Sequence, residues 1–268
     1  MTVLRLGVVC TVVSCGLFPT LGDLTSPADG GAEDVASSDA ALDTLVDVHL
    51  DAPIDGPSDA GSPGDAAWTF VSTEGNYVDQ ANTTTVMVSS SASAGQLVLI
   101  GCDSEAAAGL IGLDSQTSAL APHKLGPYPN AAATLETIFY WGVLATTPGP
   151  FTMTATTTNP TGFLDCSINV YTGGTANAAV VDSIHTEGAD AGLTTCGPVS
   201  TARGGVAYYI AVRYTCAGAP NSPWTQRQDL EGNPTGDIAP TTGMSELATL
   251  GACGSELAWE CLTVSLSP

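Results

Sequence analysis

Val206-Ala207-Tyr208-Tyr209-Ile210-Ala211-Val212-Arg213-Tyr214 is the stretch that sets the fold class. Successive side chains of a strand point to opposite faces. One face therefore carries Val206, Tyr208, Ile210, Val212 and Tyr214, which reads as the core face. The other carries Ala207, Tyr209, Ala211 and Arg213. Upstream, Leu164-Asp165-Cys166-Ser167-Ile168-Asn169-Val170-Tyr171 behaves alike, with Leu164, Cys166, Ile168 and Val170 as its core face. Downstream, Leu257, Trp259 and Cys261 share one phase and Leu262, Val264 and Leu266 the other, which predicts a bulge near Cys261.

From Trp68 onward, short segments rich in Val, Ile, Thr, Tyr and Phe alternate with Gly, Pro, Ser and Asn clusters. Strands are expected near 68–73, 84–90, 96–102, 135–144, 151–158, 164–171, 178–183, 205–215, 224–229, 242–248 and 257–266. No segment sustains a period near 3.6, and the Ala-rich pieces at 105–108 and 131–133 are too short for a stable helix. The expectation for 68–268 is all-β, an antiparallel β-sandwich of jelly-roll-like character.

The chain has 268 residues with 5 Lys+Arg against 27 Asp+Glu, a net charge of −22. Nucleic-acid binding needs clustered Lys and Arg, so this composition argues against it. Charge-driven adsorption to anionic lipid fails for the same reason.

Between Asp23 and Asp65 there are 11 acids and no Lys or Arg, and Asp39, Asp43, Asp47, Asp51, Asp55 and Asp59 recur every fourth residue. Like charges at i and i+4 oppose a helix, and Pro53, Gly56, Pro57 and Gly61 forbid one in the second half. Residues 15–67 are thus expected to be a disordered acidic tether, extended by self-repulsion. The alternate-position ligands, central Gly and distal Glu of an EF-hand calcium loop are missing from it.

Ahead of the tether, Arg5 precedes the short apolar run Leu6–Val13, which reads as a signal peptide over 1–14. Val12-Val13-Ser14-Cys15 resembles the lipobox of bacterial lipoproteins. The resemblance implies that Cys15 carries lipid and that the partner at this end is a membrane. An Asp/Ala/Pro tract after such a Cys is similar to the tethers of Gram-negative surface lipoproteins, implying an exported protein at the outer membrane or cell surface. The order of segments from Leu97–Ile100 through Phe139-Tyr140-Trp141 and Val170–Gly174 to Ala258-Trp259 resembles secreted bacterial β-sandwich domains of unknown role. That resemblance implies fold and no chemistry.

Six cysteines remain: Cys102, Cys166, Cys196, Cys216, Cys253 and Cys261. An even number in an exported domain reads as disulfides. If most of 253–261 is strand, Cys253 and Cys261 lie about 25 Å apart, too far to bridge. Long-range bridges between strands are expected, three in all. Cys and His pairs at zinc-knuckle spacing are missing, so neither metal nor cofactor is expected.

Catalytic motifs are equally scarce. There is no Gly-x-Ser-x-Gly elbow, His-Glu-x-x-His or P-loop. His123 and His185 read as surface loop residues, and the acids Glu136 and Glu260 as edge or outward-facing. Three aromatics stand out as candidate ligand-facing rings: Tyr140 and Tyr209, which oppose the stronger apolar phase, and Trp224 at a loop rim after Pro223. The leading expectation is a non-enzymatic surface module, binding or structural, whose partner would be a glycan or a protein at the cell surface. The alternative is a secreted hydrolase, glycan- or ester-directed, on a sandwich scaffold.

Overall fold

The computed structural model describes residues 66–105, 109–115, 119–188, 193–213, 218–252 and 258–268. The signal segment, Cys15 and the tether up to residue 65 lie outside the described residues, as do Cys216 and Cys253. The described elements are strands throughout, and all their pairings are antiparallel.

One sheet contains β1 (Thr69–Ala92), β6 (Gly149–Thr172), β2 (Leu97–Glu105), β5 (Leu135–Val143) and β4 (His123–Pro129) in that order, with β3 (Leu110–Ser115) also paired to β6. A second runs β10 (Thr225–Leu230), β11 (Asn233–Ile238), β9 (Val206–Arg213), β13 (Trp259–Leu266), β7 (Val180–Gly188). A third is the pair β12 (Ser245–Ala252) and β8 (Leu193–Ser200). The sheets stack as a β-sandwich with an added outer layer, as three separate cores show.

β1 and β6 are 24 residues each and pair end to end, from Thr69↔Thr172 to Ala92↔Gly149. Straight strands of that length would run to about 80 Å. Instead the register breaks between Asp79 and Thr83 and again before Thr85. Beyond these breaks Val86, Val88, Phe151 and Met153 join one core with Val98, Ile100, Ile138, Leu164 and Ile168. The distal half of the β1–β6 pair thus folds over the face of its own sheet, the twist and bend that bulges supply.

The second core lies between the first two sheets and contains Trp68, Leu97, Leu99, Phe139, Tyr208, Ile210, Leu262 and Val264. Here the backbones approach closely. A Cβ on Gly101 would sit 2.8 Å from Ile210 Cδ1 and 2.9 Å from Tyr208 Oη. The third core lies under β8 and β12 and contains Ala207, Tyr209, Ala211, Trp224, Trp259 and Cys261.

The middle sheet is therefore covered on both faces. This corrects the expected bulge at Cys261: β13 pairs with β9 from Trp259↔Arg213 to Leu266↔Val206 without a shift. Both phases of β13 are apolar because each meets a core. The β6 reading holds: Leu164, Cys166, Ile168 and Val170 face a core, the one under the folded-over end of the β1–β6 pair.

Two disulfides cross-link the strands: Cys102–Cys166 joins the neighbours β2 and β6 within one sheet, and Cys196–Cys261 joins β8 to β13 across two layers. Both are long-range, and Cys261 is not bonded to Cys253. Asn221 N–H donates to Thr249 O, and a Cβ on Gly218 would lie 2.7 Å from Gly251 Cα, so the described chain on either side closes up antiparallel just short of Cys216 and Cys253. Non-reducing peptide mapping is expected to recover Cys216 linked to Cys253, and free thiol at either position would contradict it.

Candidate functional site

The inter-sheet interior changes character along the strands. Leu97 and Leu99 of β2 are followed in the same phase by Gly101 and Asp103, and Tyr171 of β6 is preceded by Asn169, Ser167 and Asp165. One end of the interior is apolar and aromatic. The other is filled with polar side chains, all buried: Asp103, Thr137, Asp165, Ser167, Asn169, Asn233, Thr235, Asp237 and Glu260.

The β2–β6 register sets Asp103 directly opposite Asp165. Asn233 Nδ2 donates to Asp165 Oδ2 at 3.0 Å and to Asp103 Oδ1 at 3.2 Å. Burial, then the charge of Asp165, pushes the Asp103 carboxyl well above the usual range. Burial also raises Asp165, to about 7, against the lowering effect of its hydrogen bonds with Asp103 and Asn233. Two carboxyls this close in a dry interior cannot both ionise cheaply, so one keeps its proton. Beside them Tyr208 Oη meets Ser167 Oγ at 2.8 Å and accepts from Asn169 Nδ2 at 3.3 Å. Tyr171 Oη donates to Asp237 Oδ2 at 2.5 Å, and Arg227 clamps Asp237 Oδ1 with Nε at 2.9 Å and Nη2 at 2.8 Å. The guanidinium also covers the Phe70 ring at 3.6 Å, fastening β10 to the first sheet.

A pH dependence follows. Burial raises Asp103, Asp165, Asp237 and Glu260 alike. The folded chain therefore holds protons that the unfolded chain releases above the ordinary Asp value of 3.8. Stability from these groups is complete below that value and is lost as pH rises through the folded value, about 7 for Asp165. Melting temperature is expected to fall between pH 5 and pH 8. Asp165→Asn, whose amide needs no proton and can donate to Asp103, should flatten that fall. A variant with the wild-type slope would rule out the acid pair as its source.

Glu260 and His185 form a second polar link. Glu260 is fully buried, and His185 Nε2 lies 3.6 Å from its Oε2. Burial raises the Glu260 carboxyl, opposed mainly by His185 and then by Thr137. The His185 ring stacks on Tyr128 at 5.5 Å and 17°, which joins β7 to β4 at the open flank of the sandwich.

Two concavities lie on that flank, between edge strands β4 and β7. One pocket of about 380 Å³ is walled by His123, Trp141–Val143 and the 176–180 segment leading into β7. A smaller one of about 220 Å³ lies between Asn130–Ala132 and Glu187–Gly188. In the larger pocket His123 stacks on Trp141 at 5.1 Å and 24°, and Trp141 stacks in turn on Phe139 at 5.8 Å. The β4–β5 register makes this pairing, since His123 lies opposite Trp141.

Several sequence expectations are corrected here. Tyr209 is fully buried under β8 and β12, and Trp224 packs on it at 5.4 Å in the same core. Tyr140 is buried beneath the folded-over end of the β1–β6 pair, with Lys124 Nζ 6.0 Å from its ring. None of the three presents an exposed ring: Tyr209 and Trp224 share the core under β8 and β12, and Tyr140 lies in the core under the distal β1–β6 pair. His123 and His185 lie on strands rather than in loops, and Glu136 and Glu260 are buried rather than outward-facing. The β4 strand escaped notice because Pro127 and Pro129 interrupt it, tolerable only at a sheet edge. Asp103 and Asp165 could have been found as acids in phase with buried neighbours and adjacent to bridged cysteines.

Neither member of the buried acid pair lines either flank pocket. Among the described residues, no three His, Cys, Asp or Glu side chains come together as a metal-binding group. Comparison with family models, with curated proteins and with solved structures finds no significant match to this chain.

Proposed function

We propose that the chain is an exported, lipid-tethered binding module whose sandwich presents a ligand pocket on its β4–β7 flank. The observation that carries this reading is the concave site built around the His123–Trp141 stack. Aromatic and apolar walls with a few polar groups are the usual make-up of a binding pocket. The two disulfides support an oxidising, exported environment. Attachment through lipid on Cys15 is supported by the likeness of Val12-Val13-Ser14-Cys15 to a lipobox. No helix among the described residues is long and apolar enough to cross a membrane. Several acyl chains on one Cys would hold the protein durably, at about 0.8 kcal/mol per buried CH₂. The hydrolase alternative gains nothing from the buried acid pair, which lines neither pocket.

Two measurements test the proposal. Cys15→Ser should move the protein from the membrane fraction to the soluble one and abolish palmitate labelling, and unchanged fractionation would refute the anchor. The soluble Cys15→Ser chain should then co-sediment with purified cell envelopes. Adding Ala178→Trp, which fills the pocket, should release it. Co-sedimentation indifferent to that substitution would remove the flank as the binding face.

A further inference from the structure

We infer that the His123–Trp141 pocket takes a neutral sugar ring, a hexopyranose residue of a surface glycan. The inference rests on the flank being the binding face. The chemistry of the lining selects the ligand. His123 is the one titratable side chain in it, and the chain as a whole is strongly acidic. An anionic ligand, whether phosphate, sulfate or uronate, would meet repulsion and find neither Lys nor Arg in the wall.

The ring stack supplies the second constraint. Phe139, Trp141 and His123 lie nearly parallel, and His123 is the exposed outermost member. An aromatic face carries partial negative charge, which attracts the partly positive C–H groups on the flat face of a pyranose. The polar groups supply the third. Trp141 Nε1–H meets no acceptor in the protein, and Asn177 stands exposed in the opposite wall. A purely apolar guest would leave the Trp141 N–H unpaired and strip water from Asn177, and an unpaired buried donor is costly. A ring with C–H faces and hydroxyls around its edge answers all three constraints. The remaining lining is small and apolar, from Gly142, Val143, Ala178 and Val180.

The experiment uses the full chain carrying Cys15→Ser. It is titrated with methyl β-glucoside, methyl β-galactoside and glucuronate, followed by tryptophan fluorescence and saturation-transfer NMR. At least one neutral glycoside should bind with a dissociation constant on the order of 1 mM, as expected for so small a ligand. Glucuronate should bind more weakly. His123→Ala and Asn177→Ala, both at exposed positions, should each weaken binding by about tenfold. Trp141→Phe, which keeps a ring but removes the N–H, should weaken it in a protein that remains folded by circular dichroism. If neither glycoside binds while envelope binding stays sensitive to Ala178→Trp, the sugar assignment is wrong and the flank reading stands. If a glycoside binds but is indifferent to both His123→Ala and Asn177→Ala, the sugar site lies elsewhere and the proposal is wrong, while the flank reading is decided separately by envelope binding of the Ala178→Trp chain. Preferred binding of glucuronate overturns the charge argument and with it the proposal.

Discussion

Replacing Cys102 and Cys166 together by Ala is expected to lower the unfolding free energy by about 4 kcal/mol. The bridge closes 64 residues. Loop-closure entropy for that length, about 2.1 + 1.5R ln n cal/mol/K, comes to about 4 kcal/mol at 25 °C. The effect acts on the unfolded chain, because Cys102 and Cys166 are already register partners in adjacent strands. Native geometry should survive the loss. The domain should still fold, with unchanged circular dichroism and a lower denaturation midpoint. Both cysteines are nearly inaccessible, so reductant should leave the bond intact until the chain unfolds. A loss under about 1 kcal/mol would show that the unfolded chain is already constrained there.

The other bridge, Cys196–Cys261, spans 65 residues and has a similar entropic effect, but it crosses from the middle sheet to the outer β8–β12 pair. A two-stranded layer has little stability of its own. Removing this bond should therefore also raise hydrogen exchange selectively in β8 and β12. Uniform exchange across all strands would contradict that.

The second large effect is expected at Trp68. Trp68→Ala should cost about 3–5 kcal/mol, the range for deleting a buried Trp side chain. Trp68 is fully buried in the inter-sheet core, its backbone N–H donates to Gly204 O at 2.9 Å, and its Nε1 donates to Ser267 O at 2.8 Å. It thereby ties the start of the described chain to its end. The cavity would refill poorly. Gly174 lies against the indole, where a Cβ would come within 2.1 Å of the ring, and a glycine offers no side chain to move in. Trp68→Phe should cost less, losing the Ser267 hydrogen bond and part of the ring. Equal losses for the two variants would assign the effect to the hydrogen bond rather than to packing. Urea denaturation of both, compared at one pH because of the buried acids, decides it.

Much of the candidate site depends on pairings that no local pattern contains. His123 and Trp141 meet because β4 and β5 are in one register. Asp103 and Asp165 meet because β2 and β6 are in one register. His185 reaches Glu260 because β7 and β13 pair at the edge of the middle sheet. A shift of one residue in any of these would turn the side chain to the other face.

What the amino-acid sequence determined by itself is local or compositional. Alternation in Val206–Arg213 made it a strand, and repeated turn residues made the class all-β and antiparallel. The loss of the acidic tract at Trp68 marked where apolar patterning begins, and six cysteines on separated segments implied long-range bridges. What tertiary structure decided is the number of layers. Alternation separates two faces of a strand but says nothing of what lies against each. Tyr209 and Trp259 became core residues because β8 and β12 cover them, and Tyr140 because β1 and β6 fold back over it. The same layering turned Asp165 and Glu260 from outward-facing positions into buried acids. Burial is a property of the second surface as much as the first. The second surface comes from residues tens of positions away, brought in by hydrophobic contact that is non-directional and unreadable within one strand.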